Sequence, residues 1–173
     1  LKAWIQDFGG KIRPYVCDTS RYLRQAQAEG KRILFEAQLG SLRDLDYGIY
    51  PYTTSSNPIA AYAPVGSGLP TARLDRIVGV VKAYSSCVGE GPFTCEWFGE
   101  AADKLREAGG EYGAKTGRPR RVGPIDLVAT RYGIQCQGAT DIALTKLDVL
   151  SYLDKIPICA HYELDGEIID EFP

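Results

Sequence analysis

Residues 71–86, TARLDRIVGVVKAYSS, decide how the middle of the chain is built. Leu74, Ile77, Val78, Val81 and Tyr84 recur at the spacing of one helix face, which predicts an amphipathic helix over 71–86. Upstream, 18–28 predicts another helix, with Asp18, Thr19 or Ser20 as its cap and Gly30 as its close. RILFEA (32–37) reads as a buried strand. Residues 40–70 are rich in Gly, Pro, Ser, Thr and Tyr and show no periodicity. So long an irregular stretch inside a compact domain is usually functional.

Downstream, 100–108 predicts an amphipathic helix closed by Gly109 and Gly110. Pro124 is placed as the first residue of a helix reaching about Cys136. IALTKLD (142–148) reads as a strand with a polar end, and DVLSYLDK (148–155) as a short helix. PICAHYEL and EIIDEF read as strands around the turn LDGE. Strands alternating with helices predict an α/β fold: three layers, a partly parallel mixed sheet and flanking helices, as one domain over 1–173.

The 173 residues are 45% hydrophobic and 24% charged, enough for one core. A net charge of -2 and a pI near 5.5 argue against a general nucleic-acid or membrane-surface protein. No apolar run approaches the roughly 18 residues of a membrane span, and LKAWIQDF has no signal-peptide pattern. The five cysteines, Cys17, Cys87, Cys95, Cys136 and Cys159, form no C-x-x-C pair. Reduced thiols and a cytoplasmic setting are expected, with neither a disulfide framework nor a metal site. There is no methionine, even at position 1, so the chain reads as a piece of something longer.

Against that acidic balance, GEYGAKTGRPRRVGP (110–124) concentrates Lys115, Arg118, Arg120 and Arg121. Guanidinium forks match carboxylates and phosphates. Gly113, Gly117 and Gly123 are read as letting backbone N–H groups approach a ligand, and Pro124 as opening a helix whose N-terminus favours anions. The same run also reads as a solvated basic loop. LTKLD (144–148) fits guanine recognition: a carboxylate at Asp148 accepts from the ring N1–H and the exocyclic amine, and the Lys146 stem covers the ring. Asp148 also suits a helix cap. The hydroxyls of YPYTTSSN (50–57) suit phosphate or sugar oxygens, or simply turns. No complete Walker A occurs, which leaves a GTPase-type switch without its phosphate loop. His161, the single histidine, reads as structural.

Several stretches in register resemble adenylosuccinate synthetase: ILFEAQLGSLRDLDYGIYPYTTSSN (33–57), VGSGLP (65–70), VKAYSSCVGEGPF (81–93), EYGAKTGRPRRVGPIDLVATRYG (111–133) and LTKLDVL (144–150). The resemblance implies a GTP- and magnesium-dependent ligase of purine biosynthesis, acting on IMP and L-aspartate in the cytoplasm as a homodimer. It implies that the loop of Ala114, Lys115, Thr116, Gly117, Arg118, Pro119 and Arg120 holds aspartate. Gln38, Leu39, Thr54, Val88 and Arg118 are implied for IMP, and Arg120, Lys146, Leu147 and Asp148 for GTP.

The chain departs from the family pattern at FEAQLG, where FEGAQG is usual, so that Leu39 stands for a glutamine. Lys115 stands for a threonine, Pro119 for an arginine and Pro124 for a tryptophan. The resemblance further implies that the family's phosphate loop, catalytic groups and magnesium ligands lie upstream of Leu1. The fold is then incomplete relative to the full P-loop-like domain, and the chain alone is expected to be inactive, with no catalytic or metal-ligating residue of its own. The competing expectation is a stand-alone guanine-nucleotide or anion-binding module without chemistry.

Overall fold

The computed structural model describes all 173 residues, in two compact units: Leu1–Ala37 with Ala61–Arg73, and Gln38–Ala60 with Leu74–Pro173. The first unit is helical. α1 (Lys2–Ile12) has no counterpart in the expectations above; it leaves Trp4, Ile5, Phe8 and Ile12 largely exposed. α2 (Thr19–Ala28) starts as its sequence directs, with the Asp18 carboxylate accepting from Arg21 N at 2.9 Å. α3 (Tyr62–Ser67) is one short element within the Gly- and Pro-rich region.

The second unit carries β1 (Val78–Lys82), β2 (Tyr84–Cys87), α4 (Gly99–Gly109), β3 (Arg121–Asp126), α5 (Leu127–Gln137), β4 (Asp141–Thr145), a 3-10 helix (Leu147–Tyr152), β5 (Ile158–Cys159), β6 (Tyr162–Leu164) and β7 (Glu167–Ile169). β1 and β4 pair in parallel, from Val78↔Asp141 to Lys82↔Thr145. β3 is central to a second sheet, antiparallel to β2 and parallel to β5. β6 and β7 form a hairpin whose turn residues Asp165 and Gly166 both have positive φ, the geometry expected of LDGE. The architecture is mixed α/β with parallel and mixed sheets and flanking helices, as expected. Its core joins Ala83, Tyr84, Ala102, Leu105, Val122 and Leu150, with Trp97, Val149 and Leu153 packed around them. Ala102 and Leu105 of α4 are fully buried, each such leucine contributing about 1.5–3 kcal/mol of burial.

Three expectations are corrected. Residues 71–86 are not a helix: 71–77 is irregular, and the rest forms β1 and β2. The cause is a β-branched run, Ile77, Val78, Val80 and Val81, which loses rotamer freedom in a helix and finds a parallel partner in β4. Pro124 does not start a helix; it lies in β3 opposite Tyr84, and α5 begins at Leu127 with Asp126 accepting from Ala129 N at 3.0 Å. RILFEA is not a strand; it runs unpaired, with Leu34 92% exposed, and its own unit contains no strand for it to pair with. The short helix at 148–155 takes 3-10 form, and His161 is exposed between β5 and β6.

All five cysteines are free thiols. Burial, then the neighbouring Asp126 and Cys159, push the Cys95 thiol up to about 12. No helix is long and apolar enough to cross a membrane.

Candidate functional site

The cationic stretch is a closed loop on the C-terminal end of α4. Gly110 ends the helix with a left-handed φ of 64°. Gly109 is needed for packing: a Cβ there would lie 2.5 Å from the Tyr84 hydroxyl. The chain then passes Glu111, makes an antiparallel bridge between Tyr112 and Pro119, and enters β3. Inside the loop Gly113 N donates to Arg118 O at 2.9 Å and Gly117 N to Gly113 O at 2.8 Å. Arg120 N donates to Glu111 O at 2.9 Å, and Arg106 Nε to Arg120 O at 2.8 Å.

These bonds correct two expectations about anion binding. The N–H groups of Gly113 and Gly117 are spent within the loop. Gly123 is buried in β3, where a Cβ would meet Cys95 O at 2.3 Å; it serves packing. Nor does the loop abut a helix N-terminus. Six residues of β3 intervene, roughly 20 Å of chain, so the charge at the loop comes from its side chains.

Those side chains have different fates. Arg121 is neutralised by Glu96, with both Nε contacts at 2.9 Å, donates to Gly91 O at 2.7 Å and lies over the Phe93 ring; it is structural. Arg120 donates through Nη1 to Glu111 Oε2 at 3.1 Å, while its Nε is buried without a partner. The side chains of Lys115 and Arg118 have no hydrogen-bond or ionic partner, and both residues are exposed.

A cavity of about 80 Å³ opens where Val88, Thr116, Arg118, Pro119 and Arg120 meet the turn at 87–89. That is room for one carboxylate or phosphate group, well below the roughly 300 Å³ of a whole-ligand pocket. Gly113 and Arg121 line it too, so seven of the residues singled out from sequence share one cleft. Ala114, Lys115 and Gly117 do not line it and are exposed. Gln38 and Leu39 are also exposed and outside it, Leu39 with a φ of 68° that strains a leucine. Thr54 stands on the adjoining loop. Its N–H donates to Arg43 O at 2.8 Å, and the Arg43 guanidinium reaches Tyr52 O at 2.5 Å, Cys87 Sγ at 2.7 Å and Glu90 O at 3.1 Å. Arg43 therefore ties the Thr54 loop to the turn bearing Val88. Buried Asp44 shapes the same loop by accepting from Asp46 N and Tyr47 N at 2.9 and 3.0 Å.

The candidate guanine segment leaves β4 at Lys146, whose φ is 61° and whose Nζ donates to Gly109 O at 3.1 Å. Leu147 and Asp148 follow, both exposed. The 3-10 helix takes Lys146, not Asp148, as its N-cap residue, which corrects the capping role considered for Asp148.

Glu111 connects the two regions. It is 2% exposed. Its Oε1 accepts from Lys82 Nζ at 2.7 Å and Tyr84 OH at 2.6 Å, and its Oε2 from Arg120. Lys82 closes β1 opposite Thr145, the residue before Lys146. Burial raises the Glu111 carboxyl, but the bonds from Lys82 and Tyr84 and the charges of Lys82 and Arg120 outweigh it, leaving it below the usual carboxylate range. Burial and the Glu111 bond push the Tyr84 phenol well up, so it remains a donor. Sequence reasoning missed Glu111, Tyr84 and Arg43. The only signal for Glu111 was an acid opening a basic loop; its partners lie far away in the chain.

The adenylosuccinate synthetase family model matches residues 2–173. The chain is 51% identical over 168 residues to adenylosuccinate synthetase of Caldanaerobacter subterraneus subsp. tengcongensis, covering 97% of this chain and 39% of that one. To the enzyme of Streptococcus gordonii it is 49% identical, with 96% and 39% covered. It is similar to the structure of fully ligated adenylosuccinate synthetase from Plasmodium falciparum, with a TM-score of 0.91 and 34% identity over 99% of this chain and 41% of that one. The chain thus spans about 39% of the length of these curated relatives.

Proposed function

The chain belongs to the adenylosuccinate synthetase family, and from that membership we propose that it supplies the aspartate-, IMP- and guanine-contacting part of a GTP-dependent carbon–nitrogen ligase. In this reaction GTP phosphorylates the 6-oxygen of IMP, and the L-aspartate amine displaces phosphate to give adenylosuccinate. The enzyme acts in the cytoplasm as a homodimer.

The observation that carries this reading is the division of labour among the loop cations. Arg121 is neutralised by Glu96, while Arg118 faces the cleft without a partner and Arg120 holds one buried, unpaired N–H. A buried donor left unpaired costs about 1–3 kcal/mol, so Arg120 gains by turning toward an incoming carboxylate, whose charge also balances that of Arg118. Aspartate brings two carboxylates; the cleft has room for one, held between these two guanidiniums, while the other stays at the exposed rim of the loop, which fixes the direction of the amine. Val88 and Thr54, coupled through Arg43, border the place of IMP. Lys146 and Asp148 receive the guanine, joined to the loop through Glu111.

The family's magnesium ion does not fit this cleft. Magnesium takes oxygen ligands and is usually held by one or two carboxylates; the cleft residues carry none and are rich in arginine, and the nearby Glu111 is already taken by three donors. The magnesium ligands and proton-transfer groups belong to other parts of the enzyme, and these 173 residues assayed alone make no adenylosuccinate. The test is GTP-dependent ligation of IMP and aspartate by the full-length enzyme and its Arg118→Leu variant, beside the 173-residue chain alone. Adenylosuccinate formation by the isolated chain, or normal kinetics in the variant, contradicts the proposal.

A further inference from the structure

Cys95, Asp126 and Cys159 come from three separate segments: the loop before α4, the last residue of β3 and the last residue of β5. Their ligating atoms, two sulfurs and a carboxylate oxygen, all lie within 4.8 Å of one another. The fold sets this meeting up. Parallel register puts Asp126 opposite Cys159, and the missing side chain of Gly123 lets the Cys95 backbone lie against β3.

The carboxylate is buried and fixed. Oδ1 accepts from Ala129 N at 3.0 Å, and Oδ2 accepts from Tyr162 OH at 2.5 Å. The thiols are donors. Cys95 Sγ lies 3.8 Å from Asp126 Oδ2 and 3.6 Å from Pro124 O, and Cys159 Sγ donates to His161 O at 3.6 Å. No lysine, arginine or histidine side chain pairs with Asp126. Three groups able to carry negative charge therefore share one space without a cation. With metal–sulfur and metal–oxygen bonds of about 2.3 and 2.0 Å, two ligands of a tetrahedral site stand roughly 3.5 Å apart, close to the sulfur–oxygen separation here.

We propose that Cys95, Cys159 and Asp126 form a binding site for a soft divalent cation of the Zn²⁺ class, with water as the fourth ligand. On binding, two S–H bonds break, two metal–thiolate bonds form and two protons leave to solvent; Asp126 adds its carboxylate without a proton change. Two sulfurs select against magnesium, which prefers oxygen, so this cation is distinct from the one the family's reaction uses. The Tyr162 hydroxyl orients the Asp126 ligand from outside. Both cysteines are partly exposed and Thr94 beside them is exposed, which gives the cation an entry path. Bound there, it cross-ties β3, β5 and the loop before α4, at the residue that caps α5.

The test uses the reduced, metal-free full-length protein and Co²⁺ as probe. The expected result is a thiolate-to-cobalt absorption band in the near ultraviolet with tetrahedral bands in the visible, unaffected by excess Mg²⁺. Titration with Zn²⁺ in buffers of different ionisation enthalpy should show release of two protons per ion. Cys95→Ala and Cys159→Ala should each lose the band and weaken Zn²⁺ at least about 100-fold, while Cys17→Ala and Cys136→Ala keep both. Independently of any variant, Zn²⁺ should protect Cys95 and Cys159 of the unaltered protein from alkylation, read by peptide mass. No band, a band that survives both substitutions, or no protection overturns the proposal. So does a Cys95–Cys159 disulfide in the isolated protein that, once reduced, takes up no Co²⁺.

Discussion

Arg120 reaches back across the base of its loop to Glu111, Nη1 to Oε2 at 3.1 Å, nine residues away. The other Glu111 oxygen is taken by Lys82 and Tyr84 of β1 and β2. A loop that is exposed over most of its length is thus anchored at one end by a carboxylate that is almost wholly buried. Rigid placement of a cation at a binding cleft needs such an anchor, because an exposed arginine by itself samples many rotamers.

Glu111→Gln removes the charge while keeping the shape. Lys82 and Arg120, each about one-third exposed, lose their counter-ion. Their partial hydration softens the loss, so a destabilisation of about 2–3 kcal/mol is expected. In the full-length enzyme the variant should also raise the KM for aspartate more than it lowers kcat. Chemical denaturation and steady-state kinetics check both; stability within about 0.5 kcal/mol of the parent would remove Glu111 as the anchor.

The pH dependence follows from the lowered Glu111 carboxyl. A carboxyl held below its ordinary value of 4.5 contributes stability above that value and loses it as pH falls through the folded-state pKa. The stability gap between parent and Glu111→Gln should be full at pH 7 and narrow below about pH 4.5. Melting temperatures at a series of pH values check this; a constant gap down to about pH 3 contradicts it.

Leu39 holds a left-handed φ of 68° and is 56% exposed, so it meets strain without the return of burial. Leu39→Gly should stabilise the protein by about 0.5–1 kcal/mol, net of the entropy glycine adds to the unfolded chain. A denaturation midpoint that falls instead shows that the leucine contributes packing.

Asp148→Asn exchanges one acceptor oxygen for a donor. Guanine offers two donors at the edge in question, and xanthine offers a donor and an acceptor. In the full-length enzyme the variant should lose efficiency with GTP and gain it with xanthosine triphosphate. An unchanged ratio of kcat/KM for the two nucleotides removes Asp148 from base recognition.

The elements legible in the sequence were those set by local chemistry: the Asp18 cap of α2, the glycine stop of α4 and the Asp165–Gly166 hairpin. Position 71–86 misled because five apolar residues fit a helix face while their β-branching favoured a strand, and the decision rested with β4, some sixty residues on. Pro124 misled because its lack of an N–H suits a first helical turn as well as a strand position. Within the site, the cluster of cations was visible but its internal division was not. Arg121 is matched by Glu96 and Arg120 by Glu111, and pairing across such distances has no signature in spacing. The Cys95, Asp126 and Cys159 group was hidden in the same way, its members being about thirty residues apart in sequence.

The most direct test of the account is the kinetics of Arg118→Leu in the full-length enzyme, since Arg118 is the cleft guanidinium left without a partner. Loss of one charge-assisted contact should cost about 1.5–3 kcal/mol, seen as a KM for aspartate or IMP raised roughly ten- to a hundredfold with the melting temperature unchanged. Parental KM values for both substrates in a folded variant would contradict the assignment of this cleft.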